Sequence, residues 1–149
     1  MRNRSEGRVG HMRRDDGYTL TEILVVMAII GVIAAVLTPG LISQLGRARA
    51  KTTQVQLETI AAGVEMFRSD VGRYPNKTEG LGALIVEPGD ADGWTGPYLK
   101  GAKVLKDHWG NAIAYEPEAT GLGFHVTSYG ADGKAEGVGL NKDLHAPSQ

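Results

Sequence analysis

The chain of 149 residues contains no cysteine. Disulfide bonds, thiolate metal sites and thiol nucleophiles are therefore excluded, so the packing of apolar side chains has to stabilise the fold. The net charge is only -1, which gives no reason to expect a nucleic-acid partner. The four histidines show no metal-ligand spacing, and no serine, histidine and aspartate set has supporting context. The sequence therefore predicts that the protein is not an enzyme.

One long apolar run decides the class of protein. From Ile23 to Leu37 no side chain is charged or polar, and residues 38–42 extend the run. A helix needs about 20 residues to cross the hydrocarbon core of a membrane. The span reaches that length only if it begins near Tyr18, which places Glu22 near the membrane edge. We therefore predict a transmembrane helix over residues 18–42.

The flanking charges orient this helix weakly. Five arginines precede the run and three cations follow it, so the positive-inside rule favours a cytoplasmic N-terminus only modestly. A conventional secretory signal is a competing interpretation, because it also combines a basic start with a short apolar run. Its small-x-small cleavage site would be Ala48-Arg49-Ala50. That tripeptide lies beyond Pro39 in a continuing helical pattern, which favours a retained anchor.

The apolar run is directly preceded by a junction that resembles the processing site of type IV prepilins and pseudopilins, Gly17-Tyr18-Thr19-Leu20-Thr21-Glu22. The resemblance implies that a prepilin peptidase cuts between Gly17 and Tyr18, removes a leader of residues 1–17 and methylates the Tyr18 nitrogen. It also implies that Glu22 of one subunit meets this new amine on a neighbour during assembly. From the residue alone, Glu22 could equally snorkel to the headgroups or support the helix start.

Two further positions of the apolar run match this family, which commonly has glycine and proline where Gly31 and Pro39 stand. The match implies a role for both residues in assembly. Proline removes one backbone hydrogen bond and kinks or locally melts a helix. Two outcomes follow for the segment around Pro39, namely a rigid kink or local extension during assembly.

After Pro39 the sequence predicts an amphipathic stretch of helix over residues 43–70. Its apolar residues recur at spacings of three and four and share one face: Leu57, Ile60, Ala61, Val64 and Phe67. We expect this face to pack on a sheet. Gly72 is the predicted helix end, because Tyr74-Pro75 cannot continue a helix.

The C-terminal part carries a Tyr-Pro turn, a Thr-Glu-Gly-Leu loop, Gly-Pro-Tyr-Leu, Asp-His-Trp-Gly-Asn and Ser-Tyr-Gly-Ala-Asp-Gly. These motifs resemble the head of the major pseudopilin of type II secretion systems. The resemblance implies a pilin-like α+β fold, in which a long N-terminal helix packs on a small antiparallel sheet with a C-terminal loop. We use the term head for residues 43–149.

Several local predictions for the head follow from the residues themselves. Residues 113–115 and 124–127 have strand character, and Thr78 is expected to cap a short helix that ends at Leu84. The predicted core side chains are Ile60, Phe67, Tyr98, Trp109 and Tyr115.

A calcium site is implied by the same resemblance, because major pseudopilins bind calcium in the C-terminal loop. The implied side-chain ligands are Asp132, Asp143 and Asn141, and the implied main-chain ligands are Tyr129 and Lys134. Calcium accepts about 6–8 oxygen ligands, so an irregular loop can surround it. The alternative is that Asp132 and Gly133 form a plain turn.

The resemblance also implies the function, which is that of the major structural subunit of the type II secretion pseudopilus. The subunit would cross the inner membrane once, with its N-terminus in the cytoplasm and its head in the periplasm, and would polymerise into a periplasmic pseudopilus that drives export of folded proteins across the outer membrane. Implied partners are further copies of the chain in a helical homopolymer, minor pseudopilins, the inner-membrane assembly platform, prepilin peptidase and the secreted proteins. A type IV pilus subunit and a membrane-tethered periplasmic binding module are the alternatives.

Overall fold

The computed structural model describes residues 18–147 and divides into two units, one ending at Pro39 and one beginning at Gly40. The predicted leader, residues 1–17, lies outside the described residues. The main element is helix α1, Leu20–Val71, which continues through Pro39. Extension of the helix near Pro39 during assembly therefore stays a prediction about a different state of the chain.

The predicted end of α1 is confirmed. Gly72 follows the last helical residue with a positive φ of 81°, and its N–H donates to the Arg68 carbonyl at 2.8 Å. Asp70 secures this end, because its Oδ2 accepts hydrogen bonds from the hydroxyls of Thr95 at 2.5 Å and Tyr98 at 2.8 Å. These two donors hold the pKa of Asp70 below its usual value.

The head contains one antiparallel sheet, ordered β1-β2-β3. Its strands are β1 (Ala114–Pro117), β2 (Phe124–Ser128) and β3 (Leu144–Ala146). The central residue Val126 pairs with Tyr115 on one side and Ala146 on the other. The two predicted strands are confirmed with small shifts in their ends. Strand β3 was not predicted, since three residues are too few for an alternating pattern to indicate a strand.

The predicted apolar face of α1 is buried, as expected. Leu57, Ile60, Val64 and Phe67 are fully covered, and the cover includes Val126 of β2. Burial of each large side chain stabilises the fold by about 1.5–3 kcal/mol. The face therefore joins α1 to the sheet.

Two of the predicted aromatic core residues, Tyr98 and Tyr115, are half-buried and pack against the core. The hydroxyl of Tyr115 donates to the Pro75 carbonyl at 2.8 Å, and burial raises the pKa of this hydroxyl. The prediction of Trp109 was wrong, since it lies half-exposed on a turn outside the core. Trp94 packs against the core instead, and its indole N–H donates to the Ala83 carbonyl at 3.0 Å.

Short 3₁₀ helices connect these elements, at Gly80–Leu84, Ala102–Leu105 and Gly139–Asn141. The predicted helix ending at Leu84 is therefore present, but the prediction of Thr78 as its cap was wrong. Asn76 supplies the cap, because its Oδ1 accepts hydrogen bonds from the backbone N–H groups of Thr78 and Glu79, both at 2.9 Å. A side chain two residues nearer the Tyr-Pro turn reaches both orphan donors at once.

Glu79 forms the tightest ion pair in the described head. Its two carboxylate oxygens accept from the two terminal nitrogens of Arg73, both at 2.8 Å, and Oε2 also accepts from the Asn76 N–H at 2.7 Å. The Glu79 side chain is only 12% exposed. The guanidinium of Arg73 lowers the pKa of Glu79 from 4.5 to about 2. The pair thus ties the turn after α1 to the first 3₁₀ helix.

Because the pKa of Glu79 is lowered in the folded state, this pair stabilises the head fully above pH 4.5, and the gain is lost as the pH falls toward 2. We expect Glu79→Gln to reduce the free energy of unfolding by about 2–3 kcal/mol at pH 7 and by far less at pH 2. The measurement is denaturant unfolding of the full chain in detergent, followed by the fluorescence of Trp94 and Trp109. Glu87→Gln, at an exposed site, is the control. An equal loss at both pH values would contradict the role of the ion pair.

Candidate functional site

The first unit presents a helix with no cover of its own. Every described side chain from Tyr18 to Pro39 is exposed, and an 18-residue window of this stretch is apolar enough to cross a membrane. By length and composition alone this is one candidate span among the described residues. A run of bare Ile, Leu, Val and Met side chains in water is strongly unfavourable. These residues require lipid or other protein around them.

Glu22 lies in the first turn of α1. Its backbone N–H donates to the Thr19 side-chain oxygen at 3.2 Å, which satisfies one of the orphan donors of the helix start. The Glu22 carboxylate and the Tyr18 side chain are both exposed, whereas Gly17 lies outside the described residues. Within residues 18–147 the Glu22 carboxylate forms no ion pair.

Gly31 and Pro39 are both exposed, and no side chain in residues 18–147 packs against Gly31. A Cβ placed on Gly31 meets no atom within 4 Å. Beside Pro39, the Thr38 hydroxyl donates to the Ala34 carbonyl at 2.7 Å, an arrangement common where a proline interrupts the helix ladder. Any requirement for glycine at position 31 must therefore come from a neighbouring molecule.

In the second unit, α1 bears an apolar stripe that the sequence analysis missed. We call it the outer seam: Leu41, Leu45, Ala48, Thr52, Val55, Thr59, Ala62 and Met66. The residues alternate at spacings of four and three, the repeat of a coiled coil, and none is charged. All are exposed, on the side of α1 that faces away from the buried residues such as Ile60 and Val64. The 4–3 spacing was readable in the sequence, but small alanine and threonine side chains concealed it.

The implied calcium ligands lie in one loop, between β2 and β3. Asp132 is exposed, and its Oδ1 accepts a hydrogen bond from the Lys134 N–H at 3.2 Å. This contact is the one expected if Asp132 and Gly133 form a plain turn. Asp143 is half-buried, and its Oδ2 accepts from the Glu136 N–H at 2.9 Å. Its Oδ1 is buried and has no hydrogen-bond partner within residues 18–147. A buried carboxylate oxygen without a donor is unfavourable and matches the place of a cation.

Backbone carbonyls crowd the same loop. The carbonyl oxygen of Asn141 lies so close to Gly130 and Gly137 that neither could carry a side chain without a shift. Tyr129 is half-buried, and Lys134 is exposed. Over the described part of the chain no three His, Asp or Glu side chains cluster around a metal-sized space. The donor set thus fits calcium, which accepts backbone carbonyls, better than a transition metal.

A buried polar centre beneath this loop was also missed by the sequence analysis. Asp107 is buried, and its Oδ1 accepts from the N–H groups of Trp109 at 3.0 Å and Asn111 at 2.8 Å. Its Oδ2 accepts from the Ser128 hydroxyl at 2.7 Å. Asn111 in turn donates to the Gly130 carbonyl at 2.9 Å. This chain of contacts links the Asp-His-Trp-Gly-Asn turn to the base of the loop.

Comparison with protein-family models gives two matches. Residues 40–147 match "Type II secretion system (T2SS), protein G", and residues 12–38 match "Prokaryotic N-terminal methylation motif". Together the two matches cover the anchor and the head. They confirm the resemblance on which the sequence predictions of a pseudopilin were based.

Curated relatives align over almost the whole chain. A type II secretion system core protein G from Xanthomonas campestris is 33% identical over 141 residues, which are 95% of this chain and 93% of the relative. The protein of the same name from Pseudomonas aeruginosa is 35% identical over 136 residues, or 89% of this chain and 94% of the relative. The lengths and the order of segments therefore agree.

A solved structure shares the fold. The crystal structure of the major pseudopilin from the type 2 secretion system of enterohaemorrhagic Escherichia coli superposes with a TM-score of 0.57 and 22% identity, covering 72% of this chain and 94% of that one. The predicted pilin-like α+β fold is thus confirmed. Because the protein G model covers most of the sequence and relatives about one-third identical align with nearly all of it, the chain belongs to the type II secretion system protein G family.

Proposed function

We propose that the protein is the major structural subunit of a type II secretion pseudopilus, a helical filament of many copies. The observation that carries the proposal is the outer seam, an uncharged coiled-coil repeat left bare on α1 while the opposite face is buried in the head. The names of the relatives, core protein G and major pseudopilin, support the same role. The family is a structural one, so the activity proposed is assembly.

The seam fits a second α1 better than a globular partner. Its 4–3 repeat matches the spacing needed for two helices to pack side by side at a shallow angle. Ala48 and Ala62 allow two backbones to approach closely, while Leu45, Val55 and Met66 supply apolar contact. Repetition of this contact from copy to copy yields a bundle of helices with the heads outside.

The apolar first unit completes this account. Before assembly, residues 18–42 would lie in the inner membrane, with the leader in the cytoplasm and the head in the periplasm. After cleavage by prepilin peptidase, an assembly platform in the inner membrane would transfer the helix from lipid to the filament. Growth of the filament, together with minor pseudopilins, would then push folded exoproteins through the outer membrane.

Glu22 would set the axial position, or register, at which each subunit joins the filament. A carboxylate at the membrane centre costs about 2.5–3.5 kcal/mol on insertion scales and less near the edge, so it calls for a partner. Removal of the leader converts the amide nitrogen of Tyr18 into an amine that carries a positive charge. Pairing of Glu22 with this amine on the neighbouring copy would neutralise both groups within the apolar bundle.

Calcium is the cofactor that the C-terminal loop supports best. Asp143 would supply a carboxylate oxygen that is buried without a hydrogen-bond partner in residues 18–147, and Asp132 and Asn141 lie in the same loop. The ion would stiffen an irregular segment that contains several glycines with positive φ. The ion would hold the carboxylate and carbonyl oxygens of the loop together by electrostatic attraction.

The register role predicts a specific defect for Glu22→Leu. We expect normal leader removal and membrane insertion, but filament yield should fall by at least about a hundredfold, because loss of one partner of a buried ion pair costs about 3–5 kcal/mol. Mass spectrometry of the membrane-extracted protein reports the methylated Tyr18 terminus, and sheared-filament assays report assembly. Glu22→Asp, which keeps the charge, should retain part of the assembly. Wild-type filament yield from Glu22→Leu would refute the pairing.

The outer seam predicts that Val55→Asp blocks assembly without unfolding the head. Val55 is 57% exposed, so the free energy of unfolding of the monomer should change by less than about 0.5 kcal/mol. An aspartate buried between two helices has no cation opposite, so filament yield should fall at least tenfold. Val86→Asp, at an exposed site outside α1, is the matched control. Equal yields from the two variants would show that the seam faces solvent in the filament.

The calcium site predicts stabilisation of the head by the ion. At about 100 times its dissociation constant, calcium should raise the free energy of unfolding by about 2.7 kcal/mol, and thus the melting temperature by several degrees. Calorimetry of the full chain in detergent, with calcium and with chelator, measures this shift. Asp143→Ala should abolish the shift, and Asp92→Ala, at an exposed acid elsewhere, should not. An equal shift in Asp143→Ala would rule out this loop as the site.

A further inference from the structure

The membrane-proximal end of the head has an unusual charge distribution. No Asp or Glu occurs between Ile23 and Leu57, yet three cations fall within five residues: Arg47, Arg49 and Lys51. All three are exposed, and none forms an ion pair with another residue of the described range 18–147. At 100° per residue Arg47 and Lys51 lie on one side of α1, about 40° apart, and Arg49 lies on the opposite side. We call this group the basic collar.

Apolar side chains lie next to the collar. Leu140 packs on α1 at Gly46, where an added Cβ would stand 2.7 Å from the Leu140 Cδ2. This contact places the 3₁₀ helix Gly139–Asn141 beside the start of the collar. Val138, which directly precedes that 3₁₀ helix, is 83% exposed, and Leu140 itself is 40% exposed. Two uncovered aliphatic side chains therefore border three uncovered cations.

Their distance from the proposed membrane span matches the headgroup layer. The span ends at Ile42, and a helix rises 1.5 Å per residue, so Gly46 lies about 6 Å and Lys51 about 13 Å beyond it along α1. The headgroup layer on each side of a bilayer is about 5–8 Å thick. Long Arg and Lys side chains extend several ångströms further toward phosphates. The collar and Val138 thus fall at the lipid surface or within reach of it.

We propose that this surface, the basic collar with Val138 and Leu140, docks the head of the unassembled subunit on anionic lipid headgroups. The proposal rests on the membrane anchor of the proposed function. Lipid phosphates would neutralise the collar, while Val138 would insert at the boundary between the headgroups and the acyl chains. A second copy is a poorer occupant, because two identical collars repel each other. Docking would keep this surface in contact with the bilayer until the subunit is extracted into a filament.

The lack of cysteine permits a direct test with single-cysteine labelling of the full chain. Val138→Cys carries a nitroxide, and Leu122→Cys, 75% exposed on the β1–β2 turn, is the matched control. The protein is reconstituted into vesicles of phosphatidylcholine alone or with one-third phosphatidylglycerol. Compared with the phosphatidylcholine vesicles, the anionic vesicles should increase the collision rate of the label at 138 with oxygen. They should decrease its collision rate with a water-soluble nickel chelate. The label at 122 should not change.

The collar itself is tested by Arg47→Gln, Arg49→Gln and Lys51→Gln in the Val138→Cys background. Each cation near an anionic surface raises the ratio of docked to undocked subunits about fivefold, so the triple variant should abolish the effect of phosphatidylglycerol. High salt should weaken docking in the same direction. The anchor lies outside the substitutions, so insertion into vesicles should be unaffected.

Two results would overturn the proposal. One is a label at 138 that stays as accessible to the nickel chelate as the label at 122 in both kinds of vesicle. The other is shielding of position 138 that is accompanied by spin–spin broadening, where the broadening disappears when unlabelled protein is added. That result would mean that a second copy, and not lipid, covers the surface. Failure of the anchor would be seen separately, as protein that does not enter vesicles. Failure of filament formation would leave the docking measurement intact.

Discussion

The apolar surface of α1 is the constraint on which the rest of the structure depends. The helix has 52 residues, but its buried residues lie only between Thr53 and Phe67. The head covers one face of the second half and leaves the first half and the outer seam bare. Lipid can cover the first half, and helices of other copies can cover both surfaces. This distribution of bare apolar surface supports the proposed function, in which the first half lies in a membrane before assembly and in a bundle of helices afterwards.

Much of this fold could be predicted from the sequence because its signals are local. The periodicity of the face containing Ile60 and Val64 depends on neighbours three and four positions away, and the end of α1 on the glycine at position 72. Strand β3 and the cap from Asn76 depend on contacts that no local pattern encodes. The packing of Trp94 rather than Trp109 against the core could not be predicted for the same reason, because the tertiary fold of each turn decides which indole lies there.

The candidate functional residues divide in the same way. Glu22 stands out in the sequence because an acid beside a long apolar run is costly, whatever the fold. The orphan oxygen of Asp143 is visible only once the loop is folded, because burial and hydrogen bonding are properties of the surroundings. The outer seam lies between these cases. Its repeat is in the sequence, but only the exposure of Val55 and Ala62 opposite a buried face shows that residues 18–147 leave the stripe uncovered.

The central claim is that the outer seam of one copy packs against α1 of another. A helical reconstruction of the assembled filament by cryo-electron microscopy tests it most directly. The account predicts that Ala48, Val55 and Ala62 lie in the filament interior, with the axes of adjacent α1 helices about 8–10 Å apart at these residues. A filament held together through its heads, with this stripe facing solvent, would contradict the account.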